Sequence, residues 1–257
     1  MISDLHNHSR YSYDSKRNME DMVKEAISKN VKYFAFTDHL DFNKNDPGCN
    51  FYKGEEQFEE FKILKKKYFK TITLFYGIES SYEKEYEEKI KKSFHTFNFD
   101  FRIVSLHFVN SIVISNWIKM IEEDKENIFD VDYMPYFKQL RKIIDFGDFE
   151  ILGHIDYYKK YSKFKTHIET FKKYENEYKD ILKNIIKKNI ILEINTSGLR
   201  HSCEEQFPSE GILEMYKDFG GKIVSTGSDS HKEGDILTGY NVLKKILKRF
   251  NFEIFKL

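Results

Sequence analysis

The chain has 257 residues, with Lys plus Arg and Asp plus Glu balanced at 42 each, so no global field recruits nucleic acid or an acidic membrane surface. Charged residues make up 33% of it, yet 24 Phe and 17 Tyr still supply a sizeable core. Cys49 and Cys203 show no paired or metal spacing, which fits reduced, incidental thiols; with no basic-then-apolar leader and no apolar run near about 18 residues, the expectation is a cytoplasmic chain.

Seven short apolar runs rich in β-branched and aromatic residues read as buried strands: "ISDLH" (2–6), "VKYFAFT" (31–37), "TITLFYG" (71–77), "FRIVSLH" (101–107), "EILGHI" (150–155), "IILEINT" (190–196) and "KIVSTGS" (222–228). Helical patterns lie between most of them. Residues 18–30 carry Asn18 as N-cap and put Met19, Val23, Ala26 and Ile27 on one face. Residues 54–69 repeat Phe58, Phe61, Leu64 and Phe69 at similar spacing. Residues 178–189 follow the same pattern, residues 209–221 begin at Ser209 and stop at a Gly pair, and residues 240–250 are expected to close the chain. Residues 109–149 are hardest to read, beyond a helix expected within 128–146. Alternation of strand and helix over the whole length predicts one domain, residues 1–257, of α/β class: a distorted TIM-like (β/α)7 barrel. The Lys-rich stretches fit solvated helix faces.

Acidic and histidine residues fall where those strands end. His6 and His8 close the first, one residue apart, and side chains at i and i+2 of a strand point the same way. Asp14 follows in the loop. Asp38 and His39 end the second strand, Glu79 the third, His107 the fourth, His154 the fifth, Asn195 the sixth, and Asp229 with His231 the seventh. Six of the nine histidines thus land on the carboxyl-end face, where barrel enzymes carry their chemistry. A catalytic zinc keeps about three protein ligands, so this many N and O donors imply two or three divalent transition metal ions sharing carboxylates. Imidazole plus carboxylate without thiolate suits Zn, Mn or Fe.

"DLHNHSRYSYD", "TDH", "GIE", "SLH", "GHID" and "GSDSH", in this order, resemble the polymerase-and-histidinol-phosphatase (PHP) superfamily. "LGHIDYYKKY", "LEINTSGLR" and "GGKIVSTGSDSH" resemble its histidinol-phosphatase branch. The resemblance runs over essentially the whole chain and implies a trinuclear metal centre. Carried over motif by motif, it puts His6, His8, Glu79 and Asp229 on one ion, and Glu79 with His107 and His154 on a second. Asp14, His39 and His231 would hold the third, and many superfamily members have histidine where this chain has Asp14. The activity implied is hydrolysis of L-histidinol phosphate to L-histidinol and phosphate, in histidine biosynthesis. Ions sharing Glu79 would acidify a bridging water for attack on phosphorus. Asp229 would orient the nucleophile or pass a proton to the leaving alkoxide, with His39 competing for that role.

Phosphate also calls for a cation from the protein. Arg200, just past the sixth strand, is placed for a bidentate contact. In the branch, a basic segment after "GHxD" usually supplies a further arginine; here Lys159 and Lys160 stand there, Lys160 nearest the usual position. His95 and His167 read as ordinary surface or helix histidines, and His201 as a residue of the pocket rim. A sister phosphoesterase for another small phosphorylated metabolite, and a metal-binding PHP protein without turnover, are the alternatives. The expected partner is a small phosphate ester, with neither nucleic acid nor membrane; nothing in the sequence speaks to oligomeric state.

Overall fold

The computed structural model describes residues 2–164 and 168–257. In chain order the elements are β1 (Ser3–Asp4), α1 (Met19–Ser28), β2 (Tyr33–Phe36), α2 (Gly54–Tyr68), β3 (Thr73–Ser81), α3 (Glu87–Thr96) and β4 (Phe101–Ser105). Next come β5 (Phe108–Val109), β6 (Ile112–Val113), α4 (Ile114–Glu122), α5 (Met134–Phe146), β7 (Ile151–Leu152), α6 (Ile168–Lys173) and α7 (Glu175–Lys187). The last are β8 (Ile191–Asn195), α8 (Glu210–Asp218), β9 (Ile223–Gly227), α9 (Tyr240–Phe250) and β10 (Glu253–Ile254). All seven expected strands are present, paired in parallel in the order β1-β2-β3-β4-β7-β8-β9, with β10 added as an eighth. Helices surround this nearly closed TIM-like barrel.

Closure depends on β9 serving two neighbours. Its first residues pair with β10, Ile223 opposite Glu253. Beyond them the first strand takes over: Leu5 N–H donates to Thr226 O at 2.8 Å and Asp229 N–H to His6 O at 2.8 Å. The expected end of the chain at α9 is therefore corrected. A two-residue strand is too short to show alternation, and β10 is defined by the gap that the late-starting β1 leaves. Residues 109–149, opaque in sequence, form the antiparallel β5–β6 hairpin, α4 and α5.

Strand alternation divides the barrel interior by depth. Leu5, Ala35, Phe101, Ile103 and Ile151 pack as one buried cluster, flanked by Phe75, Ile191 and Phe255. Two residues beyond Ile103 and Ile191 on the same faces stand Ser105 and Glu193, and Glu79 stands four beyond Phe75, past Gly77. The floor is apolar and the mouth polar. Outside, α1 buries Met19, Met22, Val23 and Ala26, and α9 buries Leu243, Ile246 and Phe250. Two local expectations change. Asn18 precedes α1 in extended conformation, but its side chain accepts from Arg10 Nη1 at 3.1 Å instead of capping the helix. Phe69 lies past the end of α2 and is exposed, because the apolar face of that helix runs through Phe61 and Leu64 to Tyr68 instead.

Gly227 sits at the closure. A Cβ there would lie 2.3 Å from His6 Cβ and 2.7 Å from Glu193 Oε1. Gly227→Ala is expected to cost about 1–3 kcal/mol, as overpacking does in a tight core, read as a lower midpoint in thermal unfolding. An unchanged midpoint would mean that β1 and β9 can part without cost.

Candidate metal centre

Glu79 occupies the centre of the polar layer, buried at 1% exposure. Five imidazoles face it. His39 Nδ1 and His6 Nε2 lie 3.1 and 3.3 Å from Oε2, with His8 Nε2 at 3.5 Å. On the other oxygen, His154 Nε2 is at 3.1 Å and His107 Nε2 at 3.6 Å, and Ser105 Oγ donates at 2.5 Å. Asp229 stands across from Glu79, its Oδ1 3.3 Å from His8 Nε2 and 3.5 Å from His231 Nδ1. Its backbone is left-handed, φ 52°, a conformation Asp tolerates better than most residues and one that recurs at functional sites. Asp14, half-exposed, places Oδ2 3.1 Å from His231 Nε2 and 3.7 Å from His39 Nε2. All nine sequence-marked donors therefore come together.

The protonation balance is divided: burial opposes a proton on His6, His8, His39, His107 and His231, yet neighbouring carboxylates raise His6, His39 and His231, while His8 and His107 fall. Burial, reinforced by His231 and His39, pushes His8 down to about 3. Burial also takes His107 down to about 3, against Glu79 and with His154 and His39. Both rings are thus neutral, with a lone pair to offer. Burial alone would raise the Glu79 carboxyl, but His6, His107, His154 and His39 outweigh it and hold it well below the carboxylate range. His6 Nε2, His8 Nε2 and His39 Nδ1 are buried with no hydrogen-bond partner among the described residues. Orphaned buried nitrogens are costly, and aimed at a shared carboxylate they fit divalent metal ions. Donor atoms within 4.8 Å of one another form four overlapping groups: His6, His8 and Glu79; Glu79, His107 and His154; His8, His39 and His231; and His39, Asp41 and His107.

Asp41 is a participant that the sequence reading passed over. Its Oδ1 accepts from Ser81 N–H at 2.9 Å and its Oδ2 lies 3.8 Å from His39 Nδ1. Burial lifts it to about 7, with His39 opposing and Asp46 adding to the rise. The available signal was its place two residues after His39. Ser12 was passed over as well. Its hydroxyl donates to Asp38 Oδ1 at 2.8 Å and accepts from His39 N–H at 2.9 Å, leaving it 3.1 Å from His8 Nδ1. Asp38 is held in turn by Ser9 and Gln57. Behind His6 stands Glu193, wholly buried; an acid inside "ILEIN" was its signal. Asn195, also at a strand end, turns inward to the loop, accepting from Ser197 N–H at 2.9 Å.

A cavity of about 390 Å³ opens over Glu79, His107, His154 and Asp229. Arg200 lines it. Its Nη2 donates to Ser228 O at 2.8 Å and Asp229 O at 3.0 Å, while Nη1 is buried without a partner among the described residues. The two lysines separate cleanly. Lys160 lines the cavity, its Nζ donating to Tyr157 Oη at 2.7 Å, and the Tyr157 ring stacks on His154 at 4.0 Å between centroids. Lys159 points the other way, fully buried, with Nζ 2.8 Å from Asp156 Oδ2 and 2.7 Å from Glu205 Oε2. His201 reaches the cavity and is pushed down to about 4 by burial, then by Lys160 and Arg200. His95 is exposed on α3, 3.2 Å from Asp148. His167 lies outside the described residues.

The fold and site define a class: parallel α/β barrels that gather imidazoles and carboxylates at the carboxyl ends of their strands, within reach of shared metal ions. Within that class, the chain belongs to the PHP domain family, whose family model matches residues 4–197. It is 27% identical over 256 residues to the "Probable histidinol-phosphatase" of Clostridium acetobutylicum, covering 98% of this chain and 95% of that one. It is 28% identical over 251 residues to a protein of the same name from Thermotoga maritima, covering 97% and 93%. The crystal structure of histidinol phosphate phosphatase from Lactococcus lactis, solved with zinc, L-histidinol and phosphate, superposes with a TM-score of 0.86 at 25% identity, covering 98% of this chain and 95% of that one.

Replacing Lys159 leaves Asp156 buried without its cation. Removing one partner of a buried ion pair costs about 3–5 kcal/mol, so Lys159→Met is expected to lower stability by that much in urea unfolding. A variant as stable as wild type would show that the pair is neutral to the fold.

Proposed function

We propose that the chain is a metal-dependent phosphomonoesterase of the cytoplasm that hydrolyses L-histidinol phosphate to L-histidinol and phosphate. The observation that carries this reading is that Arg200, its Nη1 without a hydrogen-bond partner among the described residues, lines the same cavity as the Glu79 cluster. One group of donors suits metal and the cationic lining beside it suits an anion, as a phosphate ester requires. The Lactococcus protein, of matching fold and length, was crystallised with zinc and both products of that reaction.

His6, His8, Glu79 and Asp229 would hold one ion, Glu79, His107 and His154 a second, and Asp14, His39 and His231 a third. Divalent ions there supply neutralisation of phosphate charge and a water acidified for attack. The protein's own part is positioning and proton handling. Carbonyls 228 and 229 fix the Arg200 guanidinium so that Nη1 meets a phosphate oxygen without reorganising. Lys160 adds a point charge from the far wall, steadied by Tyr157. Asp229, fixed by Ser197 Oγ at 3.2 Å from its Oδ2, or His39 would take up the water's proton and return one to the departing alkoxide. The P–O bond to the alcohol breaks as the new P–O bond forms, and the alcohol leaves protonated.

Two outcomes are expected. Purified protein retains more than one equivalent of Zn, Mn or Fe by elemental analysis, chelation abolishes phosphatase activity, and Glu79→Ala loses the most metal and activity of any single donor change. At most one ion with full activity after chelation would refute the reading. Arg200→Ala lowers kcat/KM for histidinol phosphate by about 10²-fold, roughly 2.7 kcal/mol, and Lys160→Ala raises KM, both with metal content unchanged. A panel of phosphorylated metabolites separates this substrate from its alternatives: a large preference for another ester would move the assignment within the family and leave the centre intact.

A further inference from the structure

Glu193 uses both carboxylate oxygens, and on different strands. Oε1 lies 2.6 Å from His6 Nδ1, a contact in which an ionised carboxylate can only accept. Oε2 accepts from the main-chain N–H of His154 at 2.9 Å and from Asn195 Nδ2 at 3.2 Å. Glu193, His6 and His154 are all buried, and His6 Nε2 is free of hydrogen bonds among the described residues. The close approach is built in, because Gly227 is the residue whose missing Cβ leaves room for both His6 and Glu193 Oε1.

We infer that Glu193 is a positioning residue that fixes His6 as its Nδ1–H tautomer, with Nε2 directed at the ion beside Glu79, and holds the end of β7 so that His154 faces the same carboxylate. This rests on the reading of His6 as a metal ligand. An imidazole that donates through one nitrogen to a carboxylate presents the other, more basic and oriented, to a metal, and loss of such a partner typically weakens metal binding about 10–100-fold. Glutamine cannot replace glutamate here. With its oxygen toward His6 Nδ1–H, its NH2 group meets the N–H of His154 and the Asn195 amide, donor against donor. Turned over, the NH2 group faces His6 Nδ1 and favours the tautomer whose proton occupies Nε2.

The test titrates chelator-stripped full-length protein with Zn²⁺ by calorimetry, comparing wild type, Glu193→Gln and His6→Ala. Glu193→Gln is expected to bind zinc about 10–100-fold more weakly at the affected site, with the same stoichiometry at saturation, while His6→Ala binds one ion fewer. Loss in His6→Ala with wild-type affinity in Glu193→Gln overturns the role of Glu193 and spares the ligand reading. Wild-type stoichiometry and affinity in His6→Ala overturn that reading, and this inference with it. Should Glu193→Gln fail to fold, ¹⁵N-histidine NMR of zinc-loaded wild type decides. A His6 ring protonated at Nδ1 with a metal-shifted Nε2 supports the assignment, and the reverse pattern overturns it.

Discussion

A carboxylate with five imidazoles around it and almost no access to water is the constraint on which this molecule turns. Burying Glu79 alone would cost far more than a domain's net stability. Protons settle the charge only in part: carboxylates raise His6, His39 and His231 against their burial, but His8, stacked 4.2 Å from both His39 and His231, is pushed down. Divalent ions satisfy both sides: they neutralise the carboxylates and occupy the lone pairs of neutral imidazoles. The architecture around the site then follows, since donors from the ends of six strands must reach the same small volume.

A parallel barrel meets that demand with Glu79 inside β3 and the other donors in the segments that follow the strand ends. Each strand delivers its end to the same face, and alternation aims every second residue inward. The apolar floor of Leu5, Phe101, Ile103 and Ile151 fixes the strands in register, so the polar layer above it inherits fixed positions. Small residues keep that layer compact. A Cβ at Gly153 would fall 2.2 Å from Ser105 Oγ, the hydroxyl bonded to Glu79, just as one at Gly227 would displace His6.

The cationic lining of the cavity follows a different logic, with positive charge held mainly by neutral oxygens. Arg200 is anchored at Nη2 by two carbonyls and at Nε by Asp235 3.5 Å away, while Nη1 has no partner among the described residues. Lys160 has Tyr157 Oη and the ring faces of Tyr157 and Tyr161, a softer support that suits a point charge. Its neighbour Lys159 serves the fold, binding the loop around Glu205 and Gln206 to Asp156.

How much of this was legible follows from which interactions are local. Strand–helix alternation, the HxH pair on one face, and the landing of His, Asp and Glu at strand ends are set by periods of a few residues, so the sequence by itself determined the barrel, the donors and the expectation of a shared metal site. Other features depend on partners far along the chain. The burial of Lys159 rather than Lys160 depends on Glu205, 46 residues away, as well as on its neighbour Asp156. Asn18 looked like a cap until Arg10 competed for it, and β10 exists because of a gap beside β9. The pairing of Glu193 with His6 spans 187 residues. Only the tertiary structure decided these, because hydrogen bonds and ion pairs in a buried layer form where folded strands bring groups within about 3 Å, and no local period encodes which distant groups those are.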